Sequence, residues 1–343
     1  MNVLLTCAGR RNYLVHYFRE ALASRGKVLA ADASADAPAM QEADMAFPLP
    51  RVDDPSYVDM LVDVCRTHSV RLLVSLNDFE LSVLACHRSR FLEVGTFPVV
   101  SSSQVLSLCA DKWEHGRWLR ECGIAVPRSW LSIEEARREA TPDASLIIKP
   151  RWGSGSFALE RTGHEEMELV FQLVRLRSRH IPTTFRQANA TETVLVQDVV
   201  QGQEFGLDIV NDLDGNYVTT FIKRKLAMRA GETDRAIVAS HPRIKELGKT
   251  IGTALRHVGN LDCDVIENDR GLHVIDLNPR FGGGYPFSHI AGANLPAALL
   301  AWAQGETPDP RWLRVTPGVA AAKCDRLVPL ASASNKRAKA TGP

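Results

Sequence analysis

Three polar residues alternate with apolar ones in the stretch 274–289, VIDLNPRFGGGYPFSH. Asp276, Asn278 and Arg280 occupy every second position, and side chains two apart lie on the same face of a β-strand. A carboxylate and an amide provide oxygen ligands for a hard cation, while a guanidinium binds a phosphoryl or carboxylate group through paired hydrogen bonds. A solvated strand face and a surface salt bridge are the alternatives. The apolar neighbours favour a ligand site, and the glycines at 282–284 are expected to adopt backbone conformations that other residues resist.

A second carboxylate, Asp264, lies on the first strand of a predicted hairpin that spans 262–277. The hairpin would place Asp264 beside Asp276, with Asn278 two residues further on. Two carboxylates and an amide oxygen suit Mg²⁺, and two buried carboxylates without a cation would repel each other. Asp262 lies on the same strand face as Asp264 and is the alternative ligand.

A glycine-containing loop follows a short strand in IIKPRWGSGS, residues 147–156. The strand delivers Lys149, and Gly153 and Gly155 free a loop whose backbone N–H groups could bend over phosphate oxygens. The GxxxxGK[ST] spacing of a P-loop is missing, because the lysine precedes the glycines. A flexible hairpin tip has the same composition, so the loop alone is a weak signal.

An apolar strand runs into a polar hinge in VLVQDVVQGQEF, residues 194–205. Adenine needs an apolar slot with a few backbone groups along its edge, and a ribose needs an acceptor. The residues that could supply these groups are Gln197, Asp198, Val200 and Glu204. The alternative is an ordinary strand with an exposed turn. Lys112, which lies near the start of a predicted helix, is by itself typical of a solvated lysine.

The first 100 residues alternate strands and helices. Strands are predicted at 2–7, 27–31 and 71–76, and helices at 12–25 and near 55–68. This βαβ pattern predicts an α/β domain with a parallel sheet. Its first turn, TCAGRRN, offers only Gly9, so the dinucleotide fingerprint is missing and a nicotinamide enzyme is disfavoured. Asp78 and Glu80 follow the third strand at an edge where open sheets present ligands, and helix capping is the alternative for Asp78.

The pattern changes to α+β after about residue 100. One helix is predicted to begin near Ser103 and to run through ADKWEHGRWLRECGI. Strands alternate with glycine turns further on, at 145–149, 193–199, 204–210, 217–223 and in the hairpin. The last residues, 331–343, lack apolar periodicity and are predicted to be disordered.

Composition limits the class of protein. The 343 residues are 45% apolar and 24% charged, which suits a globular chain of two or three domains. A net charge of +1 gives no reason to expect nucleic acid or a membrane surface as a partner. No apolar run approaches about 18 residues, and 2–8 is too short for a signal peptide, so a cytoplasmic location is expected. The seven cysteines are scattered and contain no CxxC pair, so neither disulfides nor a structural zinc site is expected.

Taken in order, these segments resemble the ATP-grasp superfamily, in particular its carbamoyl-phosphate-synthase-like ligases. The resemblance rests on DK at 111–112, KPRWGSGS at 149–156, QDVVQGQE at 197–204 and DVIENDRGLHVIDLNPRFGGG at 264–284. It implies an α/β, Rossmann-like pre-ATP-grasp domain followed by two α+β ATP-grasp lobes. The implied boundaries are 1–100 for the first domain, 101–195 for the N-terminal lobe, 196–325 for the C-terminal lobe and 326–343 for a tail.

The resemblance also implies roles for individual residues. Lys112 and Lys149 would hold the α- and β-phosphates of ATP, under a closing loop of Gly153, Ser154, Gly155 and Ser156. Adenine would meet Gln197, Asp198 and Val200, and the ribose would meet Glu204. Mg²⁺, with Mn²⁺ as a substitute, would bind Asp264, Asp276 and Asn278, and Arg280 would face the γ-phosphate or an acyl-phosphate. Asp276 stands where the family usually has glutamate, and its shorter side chain leaves the number of metal ions open.

A basic segment at 221–236 lies between the hinge and the hairpin. Lys223 and Lys225 share a strand face, and one of them is predicted to reach the γ-phosphate in a catalytic role. Glu232 and Arg235 are predicted to face the acceptor substrate. A solvated charged face is the alternative.

The implied function is an ATP-dependent ligase that joins a small-molecule carboxylate to an amine through an acyl-phosphate, in enzymes that are often homodimers. A carboxylate or carbamate kinase would use the same ATP site. A nucleotide-binding regulatory subunit without turnover is a third reading, and the intact charged set disfavours it. A full carbamoyl-phosphate synthase is disfavoured because one ATP-grasp unit and no glutaminase segment are found.

Overall fold

The computed structural model describes residues 1–153, 155–181 and 191–330. The first domain is a parallel sheet in the order β3-β2-β1-β4-β5, as the βαβ pattern predicted. Its strands are Asn2–Thr6 (β1), Val28–Asp32 (β2), Met45–Pro48 (β3), Val70–Ser75 (β4) and Phe97–Pro98 (β5). Its helices are Tyr13–Leu22 (α1), Pro38–Glu42 (α2), Tyr57–Thr67 (α3), Asp78–Cys86 (α4) and Arg88–Glu93 (α5).

The strands of this sheet are apolar because helices cover both faces. Leu5 of β1 packs in a core with Leu14 and Phe18 of α1, while Leu4 packs on the opposite side with Leu61 of α3. Alternate residues of a strand point to opposite faces, so a strand buried on both sides needs a continuous apolar run. The run NVLLT therefore forms the centre of the sheet.

Two helices follow the first domain where the sequence predicted one. They are Ser103–Ala110 (α6) and Lys112–Glu121 (α7). Asp111 between them has an extended conformation, and its side chain accepts hydrogen bonds from the N–H groups of Trp113 and Glu114. The prediction of a single helix was wrong, because this aspartate caps a new helix instead of continuing the old one.

A four-stranded antiparallel sheet, in the order β6-β9-β7-β8, forms the next layer. Its strands are Ser129–Trp130 (β6), Leu146–Pro150 (β7), Glu160–Thr162 (β8) and Val194–Asp198 (β9). Helices Ile133–Glu139 (α8) and Met167–Ser178 (α9) cover one face of it, where Ile148 packs against Met167. Lys149 and Gln197 alternate with these core residues and point to the other face.

A six-stranded sheet, in the order β14-β13-β10-β11-β12-β15, completes the fold. Its strands are Gln203–Asn211 (β10), Tyr217–Arg229 (β11), Glu232–Val238 (β12), Asn260–Asn268 (β13), Gly271–Asn278 (β14) and Ala320–Ala322 (β15). The remaining helices are Pro242–Leu255 (α10), Tyr285–Ile290 (α11) and Leu295–Ala303 (α12), with a 3-10 turn at Pro310–Leu313. The observed β11 extends six residues beyond the predicted 217–223, since pairing with β12 continues the ladder.

The C-terminal elements pack back onto the first domain. Leu295 and Leu299 of α12 share a core with Leu14 and Phe18 of α1. Of the predicted tail, residues 331–343 lie outside the described residues. Within the described ranges, no helix combines the length and apolarity needed to cross a bilayer, and all seven cysteines are free thiols.

Candidate active site

One face of the six-stranded sheet is charged and the other is apolar. The apolar face contributes Leu207, Ile222 and Cys263 to a core beneath α10. Residues paired directly across antiparallel strands share a face, and the register aligns every second residue of four neighbouring strands. The polar residues of this charged face are Glu204, Asp208, Lys223, Lys225, Asp262, Asp264, Asp276 and Asn278.

The hairpin places its acids as predicted. Asp264 lies opposite Asp276, and Asp262 lies opposite Asn278. The Asn278 amide donates to Asp276 Oδ2 at 3.2 Å, which directs the amide oxygen away from that carboxylate. Asp264 Oδ1 is 2.7 Å from the Lys225 ammonium, and its second oxygen makes no hydrogen bond to the described residues. Each predicted ligand thus retains an oxygen for a cation.

This donor set fits Mg²⁺, which binds through a few carboxylates and completes its shell with water and phosphate oxygens. Among the described residues, no three His, Cys, Asp or Glu side chains lie close enough together to hold a metal by themselves. The candidate site has two carboxylates and an amide, so phosphate oxygens of a bound nucleotide are needed to complete it. Asp262, the alternative ligand, instead pairs with Arg280 at 3.3 Å.

Lys225 lies between two acids of the charged face. Its ammonium is 2.6 Å from Glu204 Oε1 and 2.7 Å from Asp264 Oδ1. Burial raises the pKa of Asp264 to about 6, although Lys225 acts in the opposite direction. Burial works against the charge on Lys225, and Asp264 and Glu204 outweigh it, so the pKa of Lys225 is above its usual value. The ribose contact of Glu204 and the phosphate contact of Lys225 stay predictions.

Lys223 is almost fully buried, with 1% of its surface exposed. Its ammonium lies 2.5 Å from Asp208, which also accepts a hydrogen bond from Ser288. Such a buried pair is costly to break, because separating it leaves an uncompensated charge. Lys225 is also buried, but its partners Glu204 and Asp264 keep 36% and 31% of their side chains exposed, whereas Asp208 is fully buried. The geometry therefore favours Lys225 over Lys223 for a group that moves to a phosphate, and the predicted catalytic role of Lys223 stays untested.

A cavity of about 130 Å³ brings the two predicted phosphate lysines to the metal hairpin. Lys112, Lys149, Asp264 and Asp276 all line it, although they come from four separate elements, α7, β7, β13 and β14. Burial lowers the pKa of Lys149 to about 8, against the opposing effect of Asp276. Burial tends to raise the pKa of Asp276, but Lys112, His115 and Lys149 together lower it to about 2. Two cations thus face an ionised carboxylate in a small chamber.

The glycine loop forms one wall of this cavity. Gly153 and Gly155 have φ of +132° and +64°, which side chains disfavour, so the predicted need for glycine here is confirmed. The Lys112 ammonium donates to the Gly153 carbonyl. A Cβ on Gly231 would lie 2.9 Å from the Ser156 hydroxyl, so the loop approaches the β11–β12 turn. Ser154, also predicted to cover the phosphates, lies outside the described residues.

The predicted adenine hinge is partly occupied by internal contacts. Gln197 is buried, accepts from the Lys149 ammonium at 2.9 Å and donates to Ser129. The N–H of Asp198 bonds to the Arg128 carbonyl, so that N–H is already used. Val200 lies beyond the end of β9 and is half-buried. The adenine contacts of Gln197, Asp198 and Val200 stay predictions.

Arg280 joins the first domain to the charged face. Its guanidinium is 2.9 Å from Asp78 and 3.3 Å from Asp262, and its side chain is 7% exposed. Burial opposes the charge, but Asp78 and Asp262 raise the pKa of Arg280 above its usual value. The capping alternative for Asp78 was wrong, because Asn77 caps α4 by accepting from the Phe79 N–H.

Glu80 does not face a ligand site. It is fully buried and accepts hydrogen bonds from Thr6, Tyr57 and Ser75. Burial raises its pKa, because the charged form loses hydration there. The expectation that this residue presents a ligand group was wrong, since its carboxylate is buried and already accepts from three hydroxyl groups.

The glycines after Arg280 do not adopt the unusual backbone conformations that were predicted, because none of residues 282–284 has a positive φ. A Cβ on Gly282 would lie 2.1 Å from the Asp262 carboxyl carbon, and one on Gly283 would lie 2.9 Å from the Glu232 carboxyl carbon. These close carboxyl groups crowd side chains at 282 and 283, whereas a Cβ on Gly284 would make an ordinary contact with Lys223 at 3.5 Å.

The predicted acceptor residues Glu232 and Arg235 have different environments. Glu232 contacts Lys323 at 3.0 Å and Arg11 at 3.5 Å, while Arg235 is exposed. His289 stacks on Tyr17 with ring centroids 3.6 Å apart, which is a structural role. Sequence reasoning did not single out Arg11, which follows β1 and donates to the Leu76 carbonyl at 2.7 Å.

Replacing Asp78 by asparagine is expected to lower kcat about tenfold while the KM for ATP stays within about twofold. Losing one charge-assisted hydrogen bond, worth roughly 1.5 kcal/mol, loosens Arg280 without touching the nucleotide lysines. Steady-state ADP formation measures both constants. Asp59→Asn is the matched control, since Asp59 forms an exposed pair with Arg90 in the same domain. Equal effects of the two substitutions would contradict the positioning role of Asp78.

ATP affinity is expected to fall as pH rises through about 8. The pKa of Lys149 is about 8, so its ammonium is present below that pH and is lost above it. Above the pKa, the charged fraction of Lys149 falls about tenfold for each pH unit, and the ATP affinity can fall by no more than this factor. Titration calorimetry from about pH 7 to about pH 9 checks this dependence. Lys149→Ala should abolish it, and a flat profile in the unsubstituted protein would contradict it.

Comparisons with known proteins agree with this geometry. Residues 3–100 match a model described as a PylC-like N-terminal domain, and residues 109–284 match a model of the ATP-grasp domain. Carbamoyl phosphate synthase large chain from Clostridium botulinum is 21% identical over 216 residues, which is 58% of this chain and 19% of that protein. The Clostridium beijerinckii protein is 24% identical over 209 residues, covering 56% of this chain and 18% of its own length. The matched part of the chain thus spans about a fifth of the length of these relatives.

Solved structures share the fold at low identity. The biotin carboxylase domain dimer of Hydrogenobacter thermophilus 2-oxoglutarate carboxylase, in complex with MgADP, ADP and bicarbonate, has a TM-score of 0.69 and 18% identity, covering 89% of this chain and 70% of that one. The ADP complex of N5-carboxyaminoimidazole synthetase from Staphylococcus aureus has a TM-score of 0.66 and 15% identity, covering 94% of this chain and 79% of that one. L-amino acid ligase from Bacillus licheniformis has a TM-score of 0.64 and 16% identity, covering 92% of this chain and 77% of that one. The ATP-grasp model matches just over half of the 343 residues of the present chain, which therefore belongs to the ATP-grasp family.

Proposed function

We propose that this protein is an ATP-dependent ligase that joins a small-molecule carboxylate to an amine through an acyl-phosphate. The observation that carries the proposal is the chamber in which Lys112 and Lys149 face Asp276 across a cavity, with Asp264 at its edge. Two cations opposite two oxygen ligands suit a polyphosphate with its metal ion.

The chain's own residues divide the work of binding ATP. Lys112 and Lys149 would bind phosphate oxygens, and the loop with Gly153, Gly155 and Ser156 would cover them. Gln197, Asp198 and Val200 at the end of β9 would receive adenine, and Glu204 the ribose. Lys149 is held by Gln197 at 2.9 Å, so its ammonium is positioned before ATP arrives. Little side-chain entropy is then lost on binding.

Asp264, Asp276 and Asn278 would hold Mg²⁺, with Mn²⁺ as a substitute. The bound ion would supply positive charge at the β- and γ-phosphate oxygens. Lys225, which pairs with Asp264, would then turn toward the γ-phosphate. Arg280 would bind the reacting carboxylate or the acyl-phosphate, since its guanidinium is fixed on two sides by acids.

The proposed reaction needs no side-chain nucleophile. A carboxylate oxygen of the substrate attacks the γ-phosphorus, the bond to the β-phosphate oxygen breaks, and ADP leaves with an acyl-phosphate remaining. The amine then attacks the acyl carbon, loses a proton, and inorganic phosphate leaves as the amide forms. Positioning and offset of negative charge are the protein's main tasks in such a transfer.

Water must be kept away from the acyl-phosphate, which it would hydrolyse. The loop around Gly153 and Gly155 has the backbone freedom to close over the chamber, and Trp152 beside it is 4% exposed. Closure of such a loop sequesters the reacting groups. The N5-carboxyaminoimidazole synthetase and L-amino acid ligase structures, named as a synthetase and a ligase, support this reaction class.

The test is release of ADP and AMP from ATP and Mg²⁺, with small carboxylates and amino acids supplied singly and in pairs. We expect ADP only when a carboxylate and an amine are present together. ADP with a carboxylate alone would favour a kinase, and AMP would indicate adenylation. ATP binding without any turnover would favour a regulatory subunit. Sedimentation of the purified protein tests the expected homodimer, which the biotin carboxylase domain dimer of Hydrogenobacter thermophilus supports.

A further inference from the structure

A second cavity among the described residues adjoins the phosphate chamber, and the reaction outlined above assigns no ligand to it. Its volume is about 450 Å³. The first turn of α4, the junction of α6 with α7 and the end of β14 surround it. Small-molecule sites have volumes of roughly 300 to 1,000 Å³, so an amino-acid-sized compound fits.

This cavity adjoins the place where phosphoryl transfer would occur. Lys112, Trp152 and Gly153 line both it and the phosphate chamber, so these three residues form the shared wall. Asn278 and Pro279 also line the cavity. A molecule in the cavity therefore contacts the end of the strand that carries the predicted metal ligands.

Acids dominate the charged residues of the cavity wall. Asp78, Asp111 and Glu114 are acidic, and Lys112 is the single base among the lining residues. Lys112 also lines the phosphate chamber, where phosphate oxygens would take up its charge. The acids therefore determine which ligand charge is favoured.

The acids are not fully neutralised by their partners. One guanidinium, Arg280, serves both Asp78 at 2.9 Å and Asp262 at 3.3 Å. A second guanidinium, that of Arg151, serves Asp111 at 2.7 Å and Glu114 at 3.6 Å. Two carboxylates thus share each buried cation. Glu114 also contacts Arg117, but that pair is exposed to solvent and screened.

Helix ends do not reverse this balance. The N-termini of α4 and α7 both meet the cavity and would attract an anion if their N–H groups were free. Asn77 already accepts from α4, and Asp111 accepts from Trp113 and Glu114 of α7. The last turn of α6 also lines the cavity, and a helix C-terminus carries partial negative charge.

We infer that this cavity binds the substrate that carries the amino group, in its ammonium form, with Glu114 and Asp78 as the acids that recognise it. The ammonium gives one proton to water or to one of these carboxylates before the neutral amine attacks the acyl carbon. The inference rests on the proposed ligase function and adds the place and charge of one substrate. Phe79, Leu81, Leu106 and Leu108 line the cavity between the acids and would contact an apolar carbon chain. The compound is therefore a small amine with an aliphatic body.

Three probes with the same five-carbon chain test the charge preference: 1,5-diaminopentane, 1-aminopentane and pentanoate. Titration calorimetry with the full chain, with and without MgADP, measures their binding. We expect both amines to bind at least tenfold more tightly than pentanoate. Equal or tighter binding of pentanoate, or no binding of any probe, would overturn the inference.

Two substitutions locate the binding. Glu114→Gln removes one acid without a change of shape and should weaken both amines about tenfold. Glu121→Gln on the same helix is the control, since Glu121 does not line the cavity. Ser82→Trp fills the cavity from α4 and should abolish amine binding. Amine affinity unchanged in Glu114→Gln would overturn the assignment, even if the bulky variant failed to fold.

The outcome is separable from that of the ligase proposal because binding is measured without turnover. Amine binding that depends on Glu114, in a protein that never forms ADP, would leave the cavity assignment standing and remove the ligase. ADP formation that needs a carboxylate and an amine, with amine affinity indifferent to Glu114, would leave the ligase standing and remove the assignment.

Discussion

Replacing Asp276 by asparagine is expected to lower Mg²⁺-dependent ADP formation about a thousandfold. The substitution keeps the shape of the side chain but removes the ionised carboxylate, whose pKa of about 2 leaves it charged at neutral pH. It also removes the charge that faces Lys112 and Lys149. Losing about 4 kcal/mol of charge stabilisation in the transition state corresponds to roughly that factor.

Steady-state ADP release across a Mg²⁺ titration measures this effect. Asp269→Asn is the matched control, because Asp269 is an exposed aspartate at the tip of the same hairpin. The control should retain full activity, and both variants should melt close to the unsubstituted protein. Full turnover in Asp276→Asn at low Mg²⁺ would show that the hairpin does not hold the metal.

Replacing Lys149 by alanine is expected to weaken ATP binding about ten- to a hundredfold. Hydrogen bonds to charged groups contribute roughly 1.5 to 3 kcal/mol, and Lys149 would donate one or more to the phosphates. The fold should tolerate the change. Burial lowers the pKa of Lys149 to about 8, so the folded state already holds this charge at a cost.

Titration calorimetry with ATP in the absence of Mg²⁺ isolates the lysine's contribution from that of the metal ligands. Lys249→Ala, on the exposed side of α10, is the control for loss of a lysine. Thermal melting verifies folding of both variants. An ATP affinity equal to that of the control would remove Lys149 from the phosphate site.

The two substitutions should have different signatures. Lys149→Ala should change the dissociation constant for ATP whether or not Mg²⁺ is present. Asp276→Asn should change the Mg²⁺ dependence and turnover more than the affinity for metal-free ATP. Its removal of a carboxylate from beside the lysines should even favour metal-free ATP, since one source of repulsion is gone.

The sequence by itself determined the local geometry of the site. Alternation along β14 fixed the shared face of Asp276 and Asn278. The hairpin brought the acids of β13 next to them, and a register shift between Asp264 and Val265 places Asp264 opposite Asp276 instead of Ile275. The βαβ alternation predicted the parallel sheet of the first domain, and Gly153 and Gly155 predicted the loop after β7. These features depend on residues close in the chain, where strand period and turn length leave few alternatives.

Tertiary structure alone decided which distant residues meet these local features. Arg280 pairs with Asp78, 202 positions away, and Lys149 bonds to Gln197 across two strands. Lys223 and Lys225 share a strand face, yet Lys223 pairs with the fully buried Asp208 and Lys225 pairs with Asp264. Periodicity reports the face to which a side chain points, but not the group that packs against it. The cavity of about 450 Å³ forms where α4, α6, α7 and β14 converge, so no single segment of the sequence specifies it.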